Sequence, residues 1–414
     1  MTPTRLHQGV RTASPSTARA INDRLALGLL QREGPLTAGQ LKQLTGLSRP
    51  TVADLVERLQ GARLITVVGE TGAERRGPNA KLYGIVADRA HLAGIDVRPD
   101  SITVCVADLL GHTLAEASLP IDAESATAPD GRRGERPAVA AAVELVERTA
   151  ALAGTTPLHT IGLGAPGLLD PVTGALDGVG WLSRWHTALV AAVRERFGAR
   201  LLLENEANLA AVAEQRLGTA RDRDTFVLLW LGGGTGAAVV LDGALRRGTS
   251  GGAGEIGFLP VPGTGALPTA AACDGGLHSL VGAAALGALA RRHGLAAETD
   301  DVQSAERVLR AAVTAVAEDA GGPAARFLDA YADGVAIGVA AVSAVLDPGC
   351  VVIGGEIGHA GGDELARRVG ERVARMSPVR TEVRAGTVGG AAVLRGAVLM
   401  ARDAAQEELF APEG

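Results

Sequence analysis

Five stretches along the chain each carry an apolar run of strand length into a turn or a polar pair. Their order limits the fold more than any other feature. They are "GIDVRPDSITVCVADLLGH" (94–112), "IGLGAPGLLDPVTGAL" (161–176), "LLLENEANLAAVAEQRLG" (201–218), "FVLLWLGGGTGAAVVLDGALRRGTSGGAGEIGF" (226–258) and "DPGCVVIGGEIG" (347–358). Short apolar runs bounded by turn residues read as strands buried on both faces. Helical segments separate them, so strand and helix alternate on both sides of a central crossing. That pattern predicts an α/β body of two related lobes facing a cleft.

The composition supports a globular chain built without large rings. Of 414 residues 47% are hydrophobic but only 2% aromatic, so the cores must come from Ala, Leu, Val and Ile. The 56 glycines follow no three-residue period, which predicts tight turns and close backbone approaches. No uninterrupted apolar run reaches the roughly 18 residues of a membrane span, and "MTPTRLHQGVRTASPST" lacks the apolar centre of a secretory signal. Cys105, Cys273 and Cys350 are distant and odd in number, which argues against a disulfide framework. A cytoplasmic location is expected.

Charge is uneven. Residues 1–85 hold 12 Lys and Arg against 6 Asp and Glu, while the remainder holds 28 against 40. A basic end on an acidic body is the asymmetry expected when only that end meets nucleic acid.

Three helices are predicted in this basic end. "TARAINDRLALGLLQREG" places Ala20, Ile21, Leu25, Leu29 and Leu30 on one face and stops at Gly34. "LTAGQLKQLTG" is a short helix with Leu41 and Leu44 inward, turned by Gly46. In "LSRPTVADLVERLQGARLI", Ser48 is a natural N-cap, Pro50 is tolerated in the first turn, and Val52, Leu55, Val56 and Leu59 form the buried stripe. "LITVVGETGAERRGPNAKLYGIV" then reads as strand, loop and strand. Three helices and a basic-tipped hairpin make a winged helix-turn-helix, an α+β head. Its third helix would enter the major groove by its N-terminus. Ser48, Arg49, Pro50 and Thr51 then lie nearest the bases. Arg58 on the outer face is expected at phosphate, and Arg75 and Arg76 at the wing tip at the DNA backbone or in the minor groove. The expected division is a tail at 1–16, the head at 17–85 and the body at 86–414, with a C-terminal helix packing back on the first lobe.

By the order and spacing of its motifs, the segment from about residue 90 to 405 resembles the ROK family (repressors, open reading frames and kinases) of the sugar kinase/actin-like fold. Joined to a winged helix, it looks like the repressor branch. The resemblance implies a sugar-sized ligand in the cleft, contacted by Asn205 and Glu206 of the "ENxAN" stretch, by Glu255 of "GExG" and beside the strand end at Gly167. Carboxylates and amides suit vicinal hydroxyls.

Three departures from the family bear on function. Where its first phosphate turn is of Gly-Gly-Thr type, this chain has Val97, Arg98, Pro99 and Asp100, which cannot wrap backbone N–H groups around a phosphate. The aspartate that serves as catalytic base in the family's kinases is Glu206 here. Its extra methylene moves the carboxylate by about an ångström, a shift worth on the order of 10²-fold in rate. The family's zinc-binding histidine and three cysteines are reduced to Cys273 and His278, with Phe258 at the histidine position and Leu280 near a sugar-binding glutamate. Two donors fall short of a tetrahedral site. No metal and no cofactor are therefore expected.

The resulting expectation is a non-catalytic regulator, a repressor that binds a palindromic operator as a homodimer or higher even oligomer and responds to a sugar or sugar phosphate. Two alternatives stay open: an active sugar kinase carrying a DNA-binding head, and a regulator that has lost sugar binding and answers another signal.

Overall fold

The computed structural model describes residues 15–71, 80–98, 101–121, 135–165, 167–169, 176–177, 184–270 and 272–411. The chain divides into two compact units. One runs to Leu92 and adds Ala107–Thr113 and the residues from Arg402; the other comprises Ala93–Val106 and Leu114–Ala401.

The first unit opens with α1 (Pro15–Glu33), ended by Gly34 at φ 81. Then come β1 (Leu36–Thr37), α2 (Ala38–Thr45), α3 (Arg49–Gly61), β2 (Ile65–Glu70) and β3 (Lys81–Ile85). The strands form one antiparallel sheet in the order β1-β3-β2, the wing of a winged helix-turn-helix. Leu27, Leu30, Leu41, Val52, Leu55 and Leu59 are all buried, so the stripe expected of α3 is present.

The faces expected of the first two helices need correction. Leu29 and Leu30 are buried, together with Ala26 and Leu27, but Ile21 and Leu25 are 59% and 42% exposed. Among the described residues, the face of α1 that is buried runs through Ala26, Leu27, Leu29 and Leu30, and neither Ile21 nor Leu25 lies on it. In the eight-residue α2, Leu41 is buried and Leu44 is exposed.

The second unit holds two five-stranded sheets. The first contains β4 (His91–Val97), β5 (Ser101–Asp108) and β6 (Thr113–Pro120), followed by α4 (Glu135–Leu152) and β7 (Thr160–Ala165). A two-residue ladder, β8 (Leu168–Leu169) with β9 (Leu176–Asp177), leads to α5 (Arg184–Phe197) and β10 (Arg200–Asn205). After α6 (Glu206–Arg216) come β11 (Phe226–Leu231), β12 (Thr235–Leu241) and β13 (Ala244–Arg246) of the second sheet. The helices α7 (His278–Val281), α8 (Ala283–Arg292), α9 (Val302–Val316) and α10 (Pro323–Leu346) follow. The chain closes with β14 (Cys350–Gly354), α11 (Gly355–Met376), β15 (Glu382–Ala385) and α12 (Ala392–Leu409).

The strand orders, β10-β7-β4-β5-β6 and β13-β12-β11-β14-β15, are the same path written twice: three consecutive strands, then two crossovers added beside the first. The two lobes are therefore related in topology.

Alternation along β11 explains why its whole run is apolar. Val227, Leu229 and Leu231 join one core, with Leu309, Phe327, Tyr331 and Leu365 from the outer helices. Phe226, Leu228 and Trp230 join another, with Leu209 of α6 and Val393 and Ala397 of α12. Side chains alternate with period two, so a strand covered on both faces must be apolar throughout. By length and composition α10 is apolar enough to cross a membrane. Arg326, Asp329 and Asp333 break its apolar run in the sequence. In the fold it is a core helix, burying Phe327, Tyr331, Val335 and Val339, and the Tyr331 hydroxyl donates to the Val281 carbonyl at 2.8 Å.

On the first sheet, β4 and β7 approach α12 so closely that a Cβ on Gly94 would strike Val398 and one on Gly162 would strike the Ala397 carbonyl. Glycine is needed there for space. Gly162→Val is expected to destabilise the protein by at least about 1–3 kcal/mol through overpacking against backbone. A lowered urea midpoint with unchanged slope would show it.

Candidate functional site

Two groups of sequence-predicted residues are involved, one in each unit. In the first unit, local capping sets the geometry of the helix pair. Thr37 opens α2 with a reciprocal capping box: Gln40 N–H donates to Thr37 Oγ1 at 3.2 Å, and Thr37 N–H donates to Gln40 Oε1 at 2.9 Å. Gly46, at φ 71, turns the chain. Ser48 Oγ accepts from the Thr51 N–H at 3.3 Å and lies 2.8 Å from Thr51 Oγ1. Ser48 and Thr51 thus spend hydroxyl capacity on the cap, while Arg49 and Pro50 stand exposed at the N-terminus of α3.

Arg58 is not the outward cation expected at a phosphate. Its Nη2 lies 2.7 Å from Asp23 Oδ1, its Nε 3.4 Å from Asp23 Oδ2, and its Nη1 bonds Asp54. It pins α3 to α1, a tertiary partnership that no helical wheel reveals. Arg75 and Arg76 lie outside the described residues.

In the second unit, Gly167, Asn205 and Glu206 of the remaining candidates lie where strands end and helices begin. So do Asp96 and Glu356, which are not among the sequence-predicted site residues; Glu255 instead precedes a short 3₁₀ turn. Asp96 is near the end of β4, Gly167 follows β7, and Asn205 ends β10. Glu206 opens α6, and Glu356 stands in the first turn of α11 after β14. Carboxyl ends of strands are where open α/β sheets bind ligands.

Asn205 caps α6: its Oδ1 accepts from the Ala207 N–H at 2.9 Å, and its Nδ2 donates to the Gly167 carbonyl at 3.1 Å. The amide therefore fixes a helix start and a strand end to each other. Among the described residues, its second N–H and second lone pair are the capacity left for a ligand. Gly167 sits at φ 116, a conformation that requires glycine. Glu204, 3% exposed, is wholly occupied within the protein by the Asn205 N–H, Asn208 Nδ2 and Arg247.

Glu206 is half-buried, and its carboxyl is pushed up to about 8, first by burial and then by the charges of Asp96 and Glu356, against the pull of Arg98. Burial also raises Asp96 and Glu356, and Arg98 opposes the shift in both. Three carboxyls thus share one guanidinium. Glu255, before the short 3₁₀ turn Ile256–Phe258, is raised by burial alone. The pairing of Glu206 with Asp96, Arg98 and Glu356 is absent from sequence reasoning. Asp96 and Arg98 were visible as the altered turn, but Glu356 stood in the quoted "GGEIG" with nothing to link it to them.

The family's zinc does not fit these residues. His278 Nδ1 lies 3.0 Å from Thr235 Oγ1, which engages one of its two ring nitrogens. Burial raises the Cys273 thiol, which disfavours a thiolate ligand. Among the described residues no three His, Cys, Asp or Glu are grouped to hold an ion.

A winged helix-turn-helix and a twice-built α/β body, with polar groups collected at its strand ends, define a regulator-like head on a sugar-kinase fold. The chain belongs to the ROK family, whose model matches residues 92–404; a model of the MarR family matches residues 21–76. It is similar to the xylose repressor of Bacillus subtilis (strain 168), 24% identical over 252 residues, which are 60% of this chain and 62% of that protein. The chain spans 59–62% of the length of the curated xylose repressors it matches. Among solved structures, the ROK hexokinase from Thermus thermophilus is 27% identical with a TM-score of 0.58, covering 76% of this chain and 99% of that one. A ROK family transcriptional regulator, a homologue of the E. coli MLC protein, shares the fold over 95% of this chain and 98% of its own, with a TM-score of 0.72 at 21% identity. Repressors and kinases both occur among these relatives.

The raised Glu206 pKa has a direct consequence for stability. Between the ordinary carboxyl value of 4.5 and about 8, the folded state keeps a proton that the unfolded state has released. Its contribution to stability therefore falls as pH rises through that window, by at most about 1.4 kcal/mol per pH unit. Glu206→Gln is expected to flatten this part of the stability–pH curve, measured by urea unfolding from pH 5 to pH 8.

Proposed function

We propose that this protein is a DNA-binding transcriptional regulator, a repressor, whose ROK body senses a sugar or sugar phosphate without phosphorylating it. The observation that carries this reading is the capped α3 of the winged helix, with Arg49 and Pro50 exposed at its N-terminus, on the same chain as a sugar-kinase body. The repressor names of its relatives support it. The sensing residues in this reading are Asn205, Glu206 and Glu255, beside the strand end at Gly167. The working form is a cytoplasmic homodimer that places two heads on a palindromic operator. Ligand binding shifts the DNA-binding equilibrium by its differential affinity for two body conformations.

The kinase reading is disfavoured by charge as well as by the lost turn. Arg98 is already paired with Asp96 and Glu356, and Glu206, its carboxyl pushed up to about 8, is held largely protonated at neutral pH. A protonated carboxyl is a hydrogen-bond donor to a ligand and a poor base.

Arg49→Ala is expected to cost about 1–3 kcal/mol of discrimination between operator and random DNA. Arg75→Ala and Arg76→Ala are expected to weaken both alike and to lower the salt slope by about one unit each. Equal behaviour of all three in titrations over a salt series would remove the assignment of Arg49 to the bases. Calorimetry with Mg-ATP, alone and with common hexoses, is expected to give no heat of binding, and a coupled assay no ADP. Turnover would restore the kinase.

A further inference from the structure

Arg98 follows β4 of the first sheet, and its backbone N–H donates to the Ser101 carbonyl at 2.8 Å, closing the short turn into β5. All three nitrogens of its guanidinium are engaged. Nε lies 3.0 Å from Asp96 Oδ2, Nη1 2.8 Å from Glu356 Oε1, and Nη2 2.7 Å from the Gly390 carbonyl. Asp96 belongs to the first sheet. Glu356 belongs to the helix that leaves the second, 258 residues away in sequence, and Gly390 to the 3₁₀ turn that leads into α12. The other oxygen of Glu356 abuts the glycine turn between β11 and β12, where a Cβ on Gly232 would strike it. One side-chain pair thus spans from the altered β4–β5 turn to the glycine turn of the second sheet.

Helix N-termini and glycine turns attract anions. Here the anion beside the second sheet's glycine turn is the chain's own carboxylate, and its counter-cation comes from the opposite lobe.

We propose that Arg98 and Glu356 form an ionic clasp that ties the two sheets of the body to each other, doing within the chain what an anionic ligand bridging the two turns would do. The proposal concerns the body alone and does not depend on the DNA-binding reading. Side chains of the clasp are little exposed, 24% for Arg98, 19% for Glu356 and 5% for Asp96. Removing one member leaves charge uncompensated where water reaches poorly, which costs far more than losing a surface pair. With Arg98 gone, Asp96 and Glu356 repel and the ionic link between the two sheets is lost, while their apolar packing on α12 remains.

Hydrogen–deuterium exchange on the full-length protein tests this, comparing the wild type with Arg98→Met, Glu356→Gln and the double variant. The expected result is reciprocal. Glu356→Gln speeds exchange about tenfold or more in the β4–β5 segment of the first lobe, and Arg98→Met does the same at the start of α11 and in the β11–β12 turn. The double variant is no worse than the worse single one, since the pair is already broken. Loosening confined to the lobe that carries the substitution, or effects that add in the double variant, would overturn the clasp. Should Arg98→Met fail to fold, the near-isosteric Glu356→Gln alone decides, by whether the β4–β5 segment of the other lobe responds.

Discussion

Burial of both faces of the central strands in each five-stranded sheet is the constraint on which the body depends. A strand such as Phe226–Leu231 sends alternate side chains into two different cores, so none of its residues is free to be polar. Polar and charged groups are driven to the strand ends, where the chain turns into helices. Asp96, Asn205 with Glu206, and Glu356 all lie at such ends. Because the same strand path is built twice, the polar ends of the two sheets supply opposite sides of one cluster.

That convergence creates an electrostatic problem, and Arg98 is its main answer. Three carboxyls in poorly solvated surroundings would repel one another. Arg98 offsets two by direct pairing, and Glu206 keeps its proton instead. One oxygen each of Asp96 and Glu356 still lacks a hydrogen-bond partner in its buried position. Substituting an arginine into a turn that could otherwise cradle phosphate therefore changes more than nucleotide affinity. It supplies a positive charge that belongs permanently to the protein and connects the lobes through it.

The head depends on local chemistry to a greater degree. Its helix pair is set by two caps and a glycine turn, each within a few residues of its partner. Arg58 is the exception, joining α3 to α1 through Asp23. That pair is partly buried, its side chains 30% and 22% exposed. Its consequence is to commit a cation that would otherwise face outward.

Local and tertiary determinants separate cleanly along this chain. Ser48 as a cap, the Val52–Leu59 stripe, the glycine turns and the buried strands were legible in the sequence, because each rests on residues within one or two turns of each other or on a strict period of two. So was the family resemblance, carried by motif order. The exposure of Ile21, Leu25 and Leu44 was decided by where α1 and α2 find partners, since an amphipathic pattern states which residues share a face but not whether anything covers it. Asn205 was legible as a polar residue at a strand end, but its work as a cap holding Gly167 depends on a neighbouring strand. The Arg98–Glu356 pair lay wholly outside sequence reasoning. A charge pair 258 residues apart leaves no period, spacing or composition to read, and only the tertiary fold, which sets the ends of the two sheets side by side, brings the partners to 2.8 Å.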